Sequence, residues 1–506
     1  MQSLKLAPSF SDGLFFAGMT TLLMIKVAPV IAMNARETNK PTLIMASKYP
    51  RPTAPKLALG APMPGKENII FPADAGLIDV TKAPYGAKGD GVSDDTGPLQ
   101  KALLDHVNQN AMIYLPNGVY LISDTLKWPP ASGGKVSYGF EGIQGQSRDG
   151  TILKLKDQTF TNPNRAHAVI GMGAHGSADF FGNTIFNLTI DTGVNNPGAI
   201  GMQFFSNNEG CVRDVTIQSG DGWGKIGLDM AYNDMNGPLL IKNVKVIGFN
   251  VGIQTATSVN SETMEHITVE NQTESGFLND GQCVSIHDFK SVNNVSAVVN
   301  KGSGLVTLID AKLTGKGAAS TRPAIVNEAA LLGRNITVTG YRKAIQNDGG
   351  GKLSPEGLAV AEFISDAAIS LFPSPPHTLN LPIKETPEVA WDDLKNWANP
   401  AKFRKAADKD DTASIQAAID SGASTVYFPR GDYKISDTIL IRNNVRRLIG
   451  CRANIDVPEM AGPGFKVVEG ANPVVVFERI NSGYSKAVTI ENAPSGTARW
   501  PTGFLS

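Results

Sequence analysis

"YLPNGVYLISDTL" runs from Tyr114 to Leu126, and "YFPRGDYKISDTI" runs from Tyr427 to Ile439. The two share Tyr-x-Pro, Gly, Tyr, Ile-Ser-Asp-Thr and a closing aliphatic residue, all in register. The likeness extends upstream, where Asp94, Asp95, Thr96 and Gln100 of the first copy match Asp410, Asp411, Thr412 and Gln416 of the second. Leu99 to Val107 is amphipathic, so each module is expected to open with a short helix. Asp94 and Asp95 would cap that helix and favour its dipole. A helix placed ahead of stacked strands covers an end that otherwise exposes unpaired edge and core. The repeated stretch therefore predicts two structural units that begin in the same way.

Short repeats downstream of the first copy define the kind of unit. A small residue, an aliphatic and a variable residue recur as "GMQF" at Gly201, "GLDM" at Gly227, "GIQT" at Gly252 and "GFLN" at Gly276. The series continues with "AVVN" at Ala297, "AIVN" at Ala324 and "AIQN" at Ala344. Each is succeeded by a second segment alternating apolar and polar residues, such as "VRDVTI" at Val212 and "VTLIDA" at Val306. Alternation at period two marks half-buried strands. Starts 20 to 27 residues apart leave no room for helices between them. The pattern predicts a parallel β-helix, in which stacking buries what one coil cannot. Asn279, Asn300, Asn327 and Asn347 would form an inward column bonded amide to amide up the stack. Cys211 and Cys283 would sit at matching places three coils apart, roughly 14 Å and too far for a disulfide, as small buried residues.

Bulk composition agrees and excludes other classes. The 506 residues carry a formal net charge of -1, which gives no electrostatic reason to expect a nucleic acid partner. Glycine is abundant at 52 and charged residues are few at 18%, as suits many short strands and tight turns. Three cysteines and six histidines without metal-ligand spacing predict neither a disulfide framework nor a metal site. No cofactor is expected. Lys5, then the apolar stretch from Leu14 to Ala35, reads as an export signal in residues 1–35, with a single membrane anchor or a mis-called start as the alternative, so a secreted, periplasmic or cell-surface location is expected. A Pro-rich linker occupies 36–75.

The string from Tyr85 to Leu126, with Gly-Asp-Gly, Asp-Asp-Thr, Gln100 and "YLPNGVY", resembles the opening of the pectate-lyase-like superfamily. The resemblance covers Ile78 to about Tyr341 and implies an all-β, right-handed parallel β-helix. Two such openings imply two tandem β-helices, at 76–350 and 389–506, joined by a linker at 351–388. The second is short or incomplete, with chain for two or three coils beyond its opening, and a truncated product would read the same way. This tandem layout resembles glycoside hydrolase family 55, whose members cut β-1,3-glucans with inversion in a cleft between two helices. Gln203 in "AIGMQFFSN" falls where that family holds a Gln near its attacking water. Met202 replaces the family's preceding aromatic, and the family's acid catalyst has no clear counterpart here.

The variable position of each repeat should face outward. Gln203, Asp229 and Gln254 then form a polar column on adjacent coils about 5 Å apart, suited to the hydroxyls of a polysaccharide. Leu278, Val299 and Val326 continue the column, and their apolarity suggests cover by the second helix, with a cleft at the boundary. Trp223 and Tyr232 would flank it as sugar-stacking rings. An inverting hydrolase needs two acidic groups roughly 6.5–9.5 Å apart. Asp229 is one candidate, with Glu262, Glu265 or Asp221 as its partner. Asp221, Asp229 and Asp234 come nearest to the acidic set of a calcium-dependent lyase, without the Arg or Lys base such a lyase needs. Inverting hydrolysis of a β-1,3-glucan-like polysaccharide is the expected activity. A non-catalytic glycan-binding or adhesive β-helix, or a pectate-lyase-like lyase, stands as the alternative.

Overall fold

The computed structural model describes residues 67–490 apart from 129–138, 174–179, 234, 257–259, 350–352, 368, 370, 376, 386–387, 458–461, 469–470, 473 and 483–487. The Leu14–Ala35 segment, the linker up to residue 66, Asp234 and the tail beyond 490 lie outside the described residues.

Nine short parallel strands, from Leu126–Trp128 to Lys343–Asn347, make one sheet. A second sheet of fifteen strands, from Ile78–Asp79 to Ala359–Ile364, includes the long strands that alternate with these. Each long strand bends at one residue with positive φ. Asn187, Asp214, Asn243, His266, Asp288, Asp310 and Asn335 take φ values of 53–59°. Asn and Asp tolerate this left-handed region better than most side chains. The bend resets the alternation: Glu262 and Met264 face inward before His266, and Ile267 and Val269 after it.

The interior is one continuous apolar cluster from Val80 to Phe363. The asparagine column lies inside it, fully paired. Thr255 Oγ1 donates to Asn279 Oδ1 (2.7 Å), Asn279 Nδ2 to Asn300 (2.9 Å), Asn300 Nδ2 to Asn327 (2.7 Å) and Asn327 Nδ2 to Asn347 (2.7 Å). An antiparallel strand, Ala359–Ile364, closes the far edge of the long sheet, which keeps that edge from further pairing.

Both repeated modules form the same hydrogen bonds. Gln100 exchanges two bonds with the backbone of Lys127 (2.8 and 2.9 Å), and Gln416 does so with Leu440 (2.8 and 3.1 Å). Thr96 Oγ1 accepts from Ser123 N (2.8 Å) and Thr412 Oγ1 from Ser436 N (2.9 Å). Tyr120 and Tyr433 each donate to the carbonyl four residues back, on Pro116 and Pro429. The helices span Thr96–Asp105 and Thr412–Asp420. They pin the first coil of each stack through Gln and Thr. Of the two aspartates expected at the cap, Asp94 accepts from Thr96 N (3.0 Å), the first amide of the helix. The expectation for Asp95 is corrected, because its side chain gives the helix no bond. It accepts instead from the amides of Lys88 (2.6 Å) and Gly89 (2.8 Å), folding the Gly-Asp-Gly loop back onto the module.

The second stack packs on the outer face of the long sheet. Phe186 lies between two guanidinium groups, with Arg213 at 5.2 Å and Arg479 at 4.6 Å from its ring centre. Arg479 also donates to Gln144 Oε1 (2.7 Å), and Arg452 to Gly182 O (3.2 Å). Tyr114 and Tyr427, equivalent in the repeat, share one apolar cluster with Ile69, Phe71 and Ile449. These contacts fall on a different sheet from the Gln203 column, so the expectation that the second helix covers Leu278, Val299 and Val326 is corrected.

The cysteines also differ from expectation. Cys211 shares its column with Leu240, Thr263 and Ser285, so Cys283 sits two residues out of line. All three cysteines are free, and Cys283 is exposed rather than buried.

Candidate functional site

Strands Ala199–Gln203, Ile226–Met230 and Val251–Ala256 pair in register, setting Gln203 beside Asp229 and Asp229 beside Gln254. The column continues through Leu278, Val299 and Val326 in one direction and Gly171 and Lys127 in the other. Neighbouring inward positions, Met202 and Leu228, are fully buried, which turns the column outward.

Gln203 Nε2 donates to Asp229 Oδ2 at 3.1 Å, and Ala231 N donates to Asp229 Oδ1 at 3.0 Å. Asp229 is only 5% exposed despite its outward position. Burial pushes its carboxyl above the ordinary range, against the opposing pull of the bonds from Gln203 and Ala231. The acid is thereby biased toward holding a proton. Gly171 lies on the other side of Gln203, two strands from Asp229. A Cβ there would meet Thr125 Cγ2 at 3.0 Å and lie 4.0 Å from Gln203 Oε1. The amide thus holds the acid with its nitrogen and leaves its oxygen on the Gly171 side. Gly171 was not among the residues singled out from the sequence, although it falls in the same column.

Tyr232 packs edge-on against Phe205 and donates its hydroxyl to Met172 O at 3.1 Å. It forms a half-buried wall near Asp229, and burial holds its phenol far above the usual range. Trp223 is 59% exposed on the turn before Ile226, at the opposite end of the strand from Asp229. Asp221 shapes that turn, accepting from Trp223 N (3.1 Å) and Asn195 N (2.6 Å).

The carboxylates expected near Asp229 go elsewhere. Glu262 and Glu265 belong to strand Ser261–Glu270 of the long sheet. Glu262 faces the interior, 1% exposed, and burial lifts its carboxyl to about 8. Glu265 faces out and pairs with Lys242 Nζ at 3.0 Å. The expectation of Glu262 or Glu265 as the acidic partner of Asp229 is corrected, because their strand belongs to the other sheet.

Coils with a buried asparagine column and an outward polar strip make the first stack a pectate-lyase-like parallel β-helix. The family model described as "Rhamnogalacturonase A/epimerase, pectate lyase-like" matches residues 79–300, and the tandem layout resembles glycoside hydrolase family 55. A glucan 1,3-beta-glucosidase of Cochliobolus carbonum is 23% identical, over 80% of this chain and 56% of its own. A non-secreted LysM effector of Penicillium expansum is 38% identical over 100 residues, covering 20% of this chain and 7% of its own. The chain thus spans little more than half of the glucosidase and a small part of the effector. The A-module of an Azotobacter vinelandii mannuronan C-5 epimerase covers 82% of this chain and 98% of its own, at 12% identity and a TM-score of 0.36.

Proposed function

We propose that the chain is a carbohydrate-active hydrolase acting on a β-1,3-glucan-like polysaccharide along the Gln203–Asp229–Gln254 strip. The observation that carries this is the 3.1 Å bond from Gln203 to a buried Asp229 on an otherwise open strip. Likeness to a glucan 1,3-beta-glucosidase over 80% of the chain supports the substrate class. In this reading Gln203 holds Asp229 with Nε2 and binds a sugar hydroxyl on the Gly171 side with Oε1. Asp229 gives its proton to the glycosidic oxygen as water takes the anomeric carbon. Gln254 binds sugar hydroxyls, and Trp223 and Tyr232 supply the aromatic surfaces. Inversion is the proposed outcome, and secretion the proposed setting. Reducing-sugar release from laminarin, absent in Asp229→Asn, tests the proposal.

A second reading, glycan binding without turnover, is favoured by one observation. Glu262 and Glu265, the expected second acids, both lie on the other sheet. Laminarin binding that persists with no turnover on laminarin, pectin or alginate would select it.

A further inference from the structure

The segment 378–385 runs against the outer face of the long sheet and is fastened there by charge. Its Glu385 sits between two imidazoles from successive coils. His266 Nε2 lies 2.6 Å from Oε2, and His287 Nδ1 contacts Oε1. Each ring is held from behind by a second carboxylate: Asp288 on His266 Nδ1 at 2.7 Å and Asp310 on His287 Nε2 at 2.9 Å. Lys242 Nζ approaches Glu385 at 3.8 Å and pairs with Glu265 and Glu388 at 3.0 Å each. Lys290 pairs with Asp288 at 2.8 Å. Arg334 donates to Leu381 O at 3.0 Å, and Thr378 N to Glu362 at 2.8 Å.

A neutral imidazole has one N–H, while a protonated one has two. Each ring here faces a carboxylate oxygen at both nitrogens, so both contacts are hydrogen bonds only in the protonated form. Lys242, Lys290, Arg334 and the two imidazolium rings face six carboxylates, Glu265, Asp288, Asp310, Glu362, Glu385 and Glu388. Loss of either ring proton leaves a lone pair against a carboxylate and one more uncompensated negative charge. The rings are 34% and 22% exposed, so solvent protons reach them.

We propose that the segment 378–385 is a pH-released latch, closed while His266 and His287 are both doubly protonated and opened when either becomes neutral. The bonds to Asp288 and Glu385 lift the His266 ring from 6.5 to about 9, and Glu385 above all lifts His287. The same contacts hold Glu385 well below the usual carboxylate range against the upward push of burial. A raised folded-state value means that the fastening contributes fully below about pH 6.5 and is lost as the pH passes about 9.

Limited proteolysis of the full chain tests this, because residues 379–384 are exposed and the Lys384–Glu385 bond is held by the fastening. Tryptic cleavage after Lys384 is followed from neutral pH to about pH 10, with rates corrected by a free peptide of the same sequence. Wild type is compared with Glu385→Gln and with the double variant His266→Gln/His287→Gln, and cleavage elsewhere in the chain serves as internal control. The corrected rate in wild type should rise about tenfold or more across that range, with the control unchanged. Both variants should be cleaved fast throughout, with no step. A flat rate in wild type, or a step that survives in Glu385→Gln, overturns the proposal. Glu385→Gln changes only the segment, so a folding defect of the coil variant does not remove the test.

Discussion

Gln203 and Asp229, on adjacent coils, are joined by an amide-to-carboxylate bond of 3.1 Å that leaves Gln203 Oε1 on the side of Gly171, 4.0 Å from where a Cβ there would lie. The bond gives Asp229 a fixed orientation, and burial raises its proton affinity. In Asp229→Asn the side chain keeps its size, its oxygen can still accept from Ala231 N and its amide can donate to Gln203 once that amide turns over, but it cannot exchange a proton. Laminarin hydrolysis should fall by about 10²–10⁴-fold, with the thermal midpoint little changed. Unaltered turnover in that variant would remove Asp229 from the chemistry.

A side chain at Gly171 separates binding from fold. Gly171→Leu places a side chain beside Gln203 Oε1, where the proposed sugar hydroxyl sits. The new Cβ meets Thr125 Cγ2 at 3.0 Å, so that methyl must shift, and overpacking of this kind costs about 1–3 kcal/mol. Laminarin affinity should drop by about tenfold or more, measured by calorimetric titration. Undiminished binding would place the glycan elsewhere.

The interior column makes a prediction about stability. Asn300 donates to Asn327 and to Ala330 O and accepts from Asn279, all without access to water. Asn300→Ala strands several of these groups at about 1–3 kcal/mol each, so denaturant unfolding should show a loss of about 2–5 kcal/mol. A loss under 1 kcal/mol would mean that the column is not cooperative.

Glu262 predicts a pH dependence. Burial lifts its folded-state value from 4.5 to about 8, so across that interval the folded chain binds a proton that the unfolded chain releases. Its contribution is most favourable below pH 4.5 and falls by about 1.4 kcal/mol per pH unit until about 8. Glu262→Gln should abolish that slope and stabilise the chain at neutral pH. Melting curves from pH 4 to 8 would show it, and parallel curves for the two proteins would contradict it.

Much of this was legible in the residues because it derives from periods. The small–aliphatic–variable repeat, read at period two, set Gln203, Asp229 and Gln254 side by side. It also lined up Asn279, Asn300, Asn327 and Asn347. The doubled stretch at Tyr114 and Tyr427 announced two coil stacks, and their matching bonds through Gln100 and Gln416 come from the shared pattern. These are contacts between neighbouring coils, where strand geometry and repeat length leave little freedom.

Tertiary structure decided the rest, because it depends on phase and docking rather than on period. Glu262 falls on the long sheet, away from the sheet that carries Asp229, and there its side chain faces the core. The second stack settles where Phe186 fits between Arg213 and Arg479, a packing of surfaces distant in sequence that no local repeat encodes. Glu385 likewise meets His266 and His287 across 119 and 98 residues, where only the folded chain brings their charges together.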